Sequence, residues 1–247
     1  MIENAGSEVP FKYGLEDSNF KDHGKLFVFA DDADPSYVVR LCSVPGAEDV
    51  PDLLAGVRDF REALGVLKDT YGIPTPNPWF VIGKEVTNPK SDCVYTICER
   101  VTGVVLDKPE NATPEIYFQL LGKLTRYHID VIFSEGPYLE DLDLHQCMYG
   151  TTVSDPEPRA YLIDLDISNE NYSSHSSIEK DRNEPLSTMY HRMFYHLRDA
   201  RILQEEHGLD TRDLQQEIAY AVNALPYIDP SDYEIINELY ILLRKVK

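Results

Sequence analysis

Two acidic clusters lie about twenty residues apart in the second half of the chain. The first, at 141–145, reads Asp-Leu-Asp-Leu-His, and the second, at 162–166, reads Leu-Ile-Asp-Leu-Asp. Carboxylates on either side of a short β segment can orient a hydroxyl nucleophile with one acid and hold Mg²⁺ beside a polyphosphate with another. The apolar residues before Asp164 favour this chemistry, because a carboxylate that ends an apolar strand is costly to bury without a partner. Acidic loops that serve only solubility are the alternative.

The first hundred residues predict an antiparallel sheet that carries one helix. Runs of β-prone residues, separated by polar or Pro-containing turns, lie at 25–29, 37–42, 79–82 and 93–98. Between the second and third runs, one apolar stripe with a spacing of three or four predicts a helix of about five turns. The stripe consists of Leu53, Val57, Phe60, Leu64 and Leu67. The order strand, strand, helix, strand, strand is typical of an α+β module.

Helical patterns dominate the second part of the chain. The predicted helices lie at about 114–127, 189–204, 212–224 and 233–245. A short strand-like run at 160–164 lies in the loop-rich stretch after the first of them. Because the pattern changes from strands to helices near 98–103, we predict a bilobal α+β fold. Its sheet-rich lobe covers 1–100 and its mainly helical lobe covers 101–247.

The charge of the chain narrows the choice of partners. Its 247 residues include 23 Lys and Arg against 43 Asp and Glu, which gives a formal net charge of −20. So few cations cannot neutralise many phosphates, and we expect neither nucleic acid nor a membrane surface as a partner. No apolar run approaches the roughly 20 residues of a membrane span, and no secretory signal begins the sequence, so a cytoplasmic location is expected. The four Cys include no CxxC pair, which excludes a zinc knuckle.

Taken in order along the chain, several motifs resemble those of the protein-kinase-like superfamily, and most closely those of the aminoglycoside phosphotransferase and choline kinase group. The similar segments are a strand that carries a cation, Arg40 (37–41), an Arg-Glu-Ala helix that ends in a Pro-containing turn (60–76), a linker (98–106), a helix that ends in His (120–128), an Asp-Leu-His loop (143–145) and a strand that ends in Leu-Ile-Asp (162–164). Each motif is weak alone, and their joint order is the specific signal.

The resemblance implies an ATP-dependent phosphotransferase that moves the γ-phosphoryl group to a hydroxyl of a small molecule. In such an enzyme Asp143 positions the acceptor hydroxyl, and His145 lies beside it in the catalytic loop. Asp164 is the implied ligand of Mg²⁺, and Asp166 or Asp141 is a candidate for a second carboxylate ligand. Phosphoryl transfer requires mainly alignment and charge stabilisation, so a cation, two acids and one or two metal ions suffice.

The same resemblance implies an ATP site between the two lobes. The residues that it assigns to the nucleotide are Arg40 on the phosphates, Glu62 orienting Arg40, Glu99 of the linker, and Ser18 and Asn19 of the covering turn. Helical geometry puts Glu62 roughly 180° away from the apolar stripe of its own helix, so a solvent-facing position is the alternative for it.

The chain departs from the family pattern at two positions. Asp141 stands where the group has His, and Met148 stands where it has an Asn, although a thioether is not a hard oxygen ligand for Mg²⁺. The alternative function is therefore a pseudokinase, an interaction module with or without nucleotide whose partner is a protein. A metallohydrolase that chelates a divalent ion with Asp141, Asp143 and His145 from one strand is a further alternative.

Overall fold

The structure, a computed structural model, describes residues 20–23, 26–29, 36–42, 50–84, 92–133, 142–163, 183–224 and 233–244. Within these ranges the chain forms two antiparallel sheets and five α-helices. None of the described helices combines the length and the apolar character that crossing a bilayer requires. The predicted α+β class is confirmed.

The first sheet has five strands. They are β1 (Phe20–His23), β2 (Leu26–Phe29), β3 (Tyr37–Cys42), β4 (Trp79–Lys84) and β5 (Asp92–Glu99). Their order in the sheet is β1-β2-β3-β5-β4, and every neighbouring pair is antiparallel. The sequence predicts β2 to β5 but misses β1, because four residues are too few for an alternating pattern to show. Strand β3 lies at the centre, and its hydrogen bonds to β2 and β5 fix the register of every residue that it carries.

Helix α1 (Val50–Tyr71) packs against this sheet through the predicted apolar stripe. All five residues of the stripe are buried, which confirms the periodicity argument. Phe60 meets Phe80 of β4 edge to face, with ring centroids 5.7 Å apart. Gly72 ends the helix at a φ of +63°, a left-handed conformation that glycine adopts without a steric penalty.

A second, three-stranded sheet begins with a strand inside the linker segment 98–106. Its strands are β6 (Thr102–Val105), β7 (Cys147–Thr151) and β8 (Arg159–Leu162), in the antiparallel order β6-β7-β8. Gly103 pairs with Gly150, and a Cβ atom at either position would collide with the backbone of the other strand. The sequence predicts β8 but misses β6 and β7, because their pairing depends on this close approach of residues that lie far apart in the chain.

Four helices complete the described fold. They are α2 (Pro114–Phe133), α3 (Asn183–His207), α4 (Arg212–Ala224) and α5 (Tyr233–Leu243). All four are predicted by the sequence, although α2 and α3 extend beyond their predicted ends. Helix α3 is central, because it packs against each of the other three.

One buried apolar cluster connects the helices across the predicted lobe boundary. Its members include Leu67 of α1, Leu121 and Leu124 of α2, and Leu197 of α3. At the end of α1 the Tyr71 hydroxyl donates to Asp130 of α2 at 2.8 Å. The division of the chain at residue 100 stays a prediction, since burial is continuous across it.

Replacing Leu67 by Ala should destabilise the fold strongly. The side chain is fully buried, so its removal should lower the free energy of unfolding by about 2–5 kcal/mol through lost burial and a cavity. Val66→Ala is the matched control, because Val66 is 40% exposed and should change that free energy by no more than about 0.5 kcal/mol. Urea denaturation followed by circular dichroism measures both. Equal effects would contradict the burial of this stripe.

Candidate active site

A short 3-10 turn, Leu144–Gln146, presents Asp143 at its N-terminus. Oδ1 of Asp143 accepts a hydrogen bond from the Leu144 N–H at 2.6 Å, and the Gln146 side chain accepts one from the Asp143 N–H at 3.2 Å. The Asp143 side chain also accepts from the Gln146 N–H, and this bond with the reciprocal one forms a capping box, which satisfies backbone donors that the turn leaves open. The turn is therefore built locally, and it fixes the backbone from which the Asp143 carboxylate projects.

An arginine of α3 binds the other oxygen of this carboxylate. Nη1 of Arg192 lies 2.5 Å from Oδ2 of Asp143, and Nδ1 of His145 lies 3.8 Å from the same oxygen. The side chains of Asp143 and Arg192 are 19% and 13% exposed, whereas that of His145 is 57% exposed. The carboxylate is thus largely buried against the helix but still reaches solvent next to His145.

The surroundings of Asp143 favour its ionised form. Burial by itself would raise the pKa of the carboxyl, but the Arg192 guanidinium and the Leu144 N–H outweigh burial and hold the pKa below its usual value. Asp143 is therefore an anion at neutral pH, and it can only accept hydrogen bonds.

Two fully buried histidines, His128 of α2 and His196 of α3, lie near this pair, with ring centroids 5.5 Å apart. Nε2 of His128 lies 2.7 Å from the Leu142 carbonyl oxygen, which can only accept, so Nε2 carries the proton. The Thr125 hydroxyl donates to the Leu121 carbonyl at 2.8 Å, so its oxygen accepts from Nδ1 of His196 at 2.9 Å. These contacts assign one proton to each ring.

Burial keeps both imidazoles neutral. It lowers the pKa of His128 to about 3 and the pKa of His196 to about 4, because the charged ring would lose its hydration. Within the described part of the chain, Nδ1 of His128 and Nε2 of His196 have no hydrogen-bond partner. Protonation of either ring would add a second buried cation near Arg192.

The hairpin of β7 and β8 returns the chain to the turn that carries Asp143. The Ile163 N–H donates to the Gln146 carbonyl at 2.9 Å, and Leu162 pairs with Cys147 in the strand register. Ile163 is the residue before Asp164 in the sequence. Ile163 therefore contacts the turn that carries Asp143. It is the last described residue before Asp164 of the second acidic cluster.

Glu99, a predicted nucleotide contact, is buried in a hydrogen-bond network at the end of β5. Its carboxylate accepts from the Asn77 amide at 3.0 Å and from the N–H and the hydroxyl of Ser154 at 3.0 and 2.9 Å. Burial by itself would raise the pKa of Glu99, but these bonds and one from Thr152 lower it below its usual value. The Glu99 N–H donates to Pro76 at 2.9 Å. The carboxylate and the N–H of Glu99 are therefore both hydrogen-bonded within the protein. Its contact with a nucleotide stays a prediction.

The other predicted site residues lie on separate elements or outside the described ranges. Arg40 belongs to the central strand β3, where its backbone is paired with Thr96 of β5. Glu62 is exposed on α1, the position that helical geometry gives as the alternative. Four predicted residues and one further acid lie outside the described residues: Ser18, Asn19, Asp164, Asp166 and Asp141.

No group of three His, Cys, Asp or Glu side chains in the described ranges could hold a metal ion. The Arg192 cation on Oδ2 of Asp143 opposes a second cation at the same oxygen. Met148, which lies on β7, supplies no hard oxygen ligand. The predicted ligands Asp164 and Asp166 carry the carboxylate oxygens that Mg²⁺ prefers, and they lie beyond the described end of β8.

Sequence reasoning missed Arg192 and did not foresee the burial of His196. The sequence pattern that could have indicated both residues lies in α3, where Met193, Leu197 and further buried residues recur at helical spacing. Arg192 borders that stripe, and an arginine in such a place needs a partner when it is buried. The partner is Asp143, 49 residues away, which no local spacing identifies.

Comparisons with known proteins give remote structural similarity and no sequence match. No family model and no curated protein matches the chain. The structure is similar to that of WaaP in complex with acyl carrier protein, at 15% identity and a TM-score of 0.41, over 90% of this chain and 87% of that chain. It is also similar to an aminoglycoside phosphotransferase from Alicyclobacillus acidocaldarius subsp. acidocaldarius DSM 446, at 14% identity and a TM-score of 0.33, over 98% of this chain and 95% of that chain. Similarities this remote carry no activity over to this chain.

Acidification should destabilise the fold through the two buried histidines. The pKa values of His128 and His196 in the folded state, about 3 and about 4, lie below the unfolded value of about 6.5. The unfolded chain therefore takes up protons first as the pH falls, and stability is lost below pH 6.5. Between pH 7 and pH 5.5 the free energy of unfolding should fall by about 1 kcal/mol for each histidine, as measured by urea denaturation.

A pair of variants on α3 isolates this effect. His196→Gln removes one titrating ring and should reduce the acid-induced loss by about 1 kcal/mol. His207→Gln, at the exposed end of the same helix, should leave the loss unchanged. The same acid-induced loss in wild type and His196→Gln would show that His196 is not a buried neutral ring.

Proposed function

We propose that this chain is an ATP-dependent phosphotransferase that transfers the γ-phosphoryl group to a hydroxyl of a small molecule. The observation that carries the proposal is the setting of Asp143, an ionised and largely buried carboxylate held at the start of a 3-10 turn. Phosphoryl transfer demands little covalent chemistry from a protein. Its main requirement is that the acceptor oxygen be held in line with the phosphorus atom, next to groups that stabilise charge.

Asp143 has free capacity for an acceptor hydroxyl. A carboxylate offers about four lone-pair positions. The described contacts are those of the Leu144 N–H on Oδ1, Arg192 on Oδ2 and the Gln146 N–H of the capping box, so they do not use all four positions. A hydroxyl can donate to a remaining lone pair from the solvent side, where His145 is exposed. Because the pKa of Asp143 lies below its usual value, the carboxylate orients the hydroxyl as an anion and is a weak proton acceptor at neutral pH.

The residues that the motifs indicate would bind the nucleotide and its metal ion. Arg40 would hold the phosphates, and Asp164 with Asp166 would hold Mg²⁺, which neutralises phosphate charge when it is bound. Two features support this assignment. Arg40 belongs to a strand that is hydrogen-bonded on both sides, and Ile163, the residue before Asp164, is bonded to the turn that carries Asp143.

The alternative is a pseudokinase, and Met148 is the observation that favours it, because β7 carries a thioether where the family pattern has an amide. The pair of Asp143 with Arg192 favours activity. Two apolar side chains of similar volume would often stabilise a fold as well as a buried ion pair does, or better. The pair is therefore better explained by chemistry at Asp143 than by stability.

Asp143→Asn should abolish transfer and leave MgATP binding in place. The substitution keeps the shape of the side chain but removes the anion that orients the hydroxyl, so turnover should fall about 10²- to 10⁴-fold. ADP release from MgATP, with a mixture of sugars and amino alcohols as acceptors, measures turnover, and calorimetry measures MgATP binding. Asp155→Asn is the matched control, because Asp155 also faces an arginine, with Nε of Arg159 at 2.8 Å, but lies in the turn between β7 and β8. It should keep wild-type turnover.

Three results would contradict the proposal in different ways. Wild-type turnover in Asp143→Asn would remove Asp143 from the mechanism. MgATP binding by the wild type without ADP release from any acceptor would establish the pseudokinase instead. Neither heat nor thermal stabilisation on addition of MgATP would reject both forms of the nucleotide hypothesis.

A further inference from the structure

The ion pair between Asp143 and Arg192 joins parts of the chain that lie 49 residues apart. Four other Arg–Asp pairs among the described residues differ from it, because they join near neighbours in sequence and their arginines are 48–75% exposed: Arg58–Asp59, Arg159–Asp155, Arg198–Asp199 and Arg212–Asp210. Exposed pairs of that kind contribute little to stability and fix no distant group. The Asp143 pair therefore does something that the local pairs cannot, since it ties the 3-10 turn to α3.

Helix α3 is a rigid base for the guanidinium. Met193, the residue after Arg192, is fully buried, as are Leu197 and Ala200 further along the helix. These residues pack in the cluster that includes α2, so Arg192 cannot move far without moving the helix. The Asp143 carboxylate is consequently held at two points, by the N–H of its own turn and by a cation anchored in the core.

Arg192 is a permanently positive neighbour of Asp143, whereas the buried titratable groups around the carboxylate carry no charge at neutral pH. Four titratable groups on the elements packed near Asp143 are neutral at neutral pH: His128 and Tyr117 of α2, His196 of α3, and Cys147 of β7. Burial raises the pKa of the Cys147 thiol to about 12 and raises that of the Tyr117 phenol as well. His145, on the turn itself, lies 3.8 Å from Oδ2 of Asp143 and is exposed to solvent.

We propose that Arg192 is a positioning residue for phosphoryl transfer, which fixes the orientation of the Asp143 carboxylate through a direct charged contact. The Asp143 carboxylate then presents the same lone pair to the acceptor hydroxyl in every turnover. This inference rests on the proposed function. Arg192 acts through Asp143 by the contact of Nη1 with Oδ2, and a lysine would hold the carboxylate less firmly, because its ammonium is a point charge on a flexible stem.

Two substitutions of Arg192 separate orientation from charge. Arg192→Gln should lower kcat for ADP release about a hundredfold, the loss expected for a misplacement of about 1 Å, with KM for MgATP unchanged. It should also move the acid limb of the kcat profile to higher pH by about 1–3 units, because a carboxyl without its cation takes up a proton more readily. Arg192→Lys keeps the charge, so its acid limb should not move and its kcat should lie between the other two.

A carboxyl titration by ¹³C NMR tests the same claim without turnover. The Asp143 signal is identified by its loss in Asp143→Asn, and its midpoint should shift upward in Arg192→Gln together with the acid limb. Arg198→Gln is the matched control, because Arg198 lies on the same helix but its half-exposed side chain pairs with the neighbouring Asp199. It should change neither the titration nor kcat.

A merely structural role of Arg192 would lower kcat equally at every pH and leave the acid limb and the NMR midpoint in place, which would overturn the inference. If Arg192→Gln does not fold, Arg192→Lys decides, because a kcat equal to wild type would then overturn it. A wild-type chain without MgATP turnover would overturn the proposed function and the inference with it. An active wild type with an unmoved limb in Arg192→Gln would overturn the inference alone.

Discussion

The ion pair between Asp143 and Arg192 is the interaction on which the candidate site depends. It links a turn that is built by local hydrogen bonds to a helix that is anchored in the core, so the packing of α3 determines where one carboxylate lies. Burying two charges is costly, and their attraction offsets that cost only when hydrogen bonds satisfy the remaining polar atoms. The Leu144 N–H supplies one such bond, and the exposed edge of the carboxylate leaves room for a further donor.

The neighbours of this pair must be neutral for it to persist. His128 and His196 each direct one proton toward an oxygen, the carbonyl of Leu142 and the hydroxyl of Thr125. In this state they act as polar groups in an apolar core. If they were charged, several cations would compete for one carboxylate in a medium that screens charge poorly. The site therefore combines one permanent charge pair with two imidazoles whose burial prevents their ionisation.

A second buried carboxylate, Glu99, connects the segments next to the two sheets by hydrogen bonds. Its partners differ in kind from those of Asp143. Glu99 accepts hydrogen bonds from Asn77 and Ser154, which belong to segments before β4 and after β7. Asn77 adopts a φ of +46°, a left-handed conformation that asparagine tolerates better than most residues. Neutral donors within the protein satisfy the Glu99 carboxylate, whereas Asp143 is held by a cation and stays in contact with solvent. Burial and partners, rather than residue type, distinguish the two settings.

Local patterns in the sequence determined the strands β2 to β5, the helices and the apolar stripe of α1, because each depends on spacing within a few residues. The position of Asp143 before Gln146 likewise determined the capped turn. Only the tertiary structure decided that Arg192 faces Asp143, that Gly103 lies against Gly150, and that Glu99 is saturated by the protein. Those contacts join residues far apart in the chain. Periodicity shows that a side chain lies beside a buried face, but it carries no information about which distant group completes the pair.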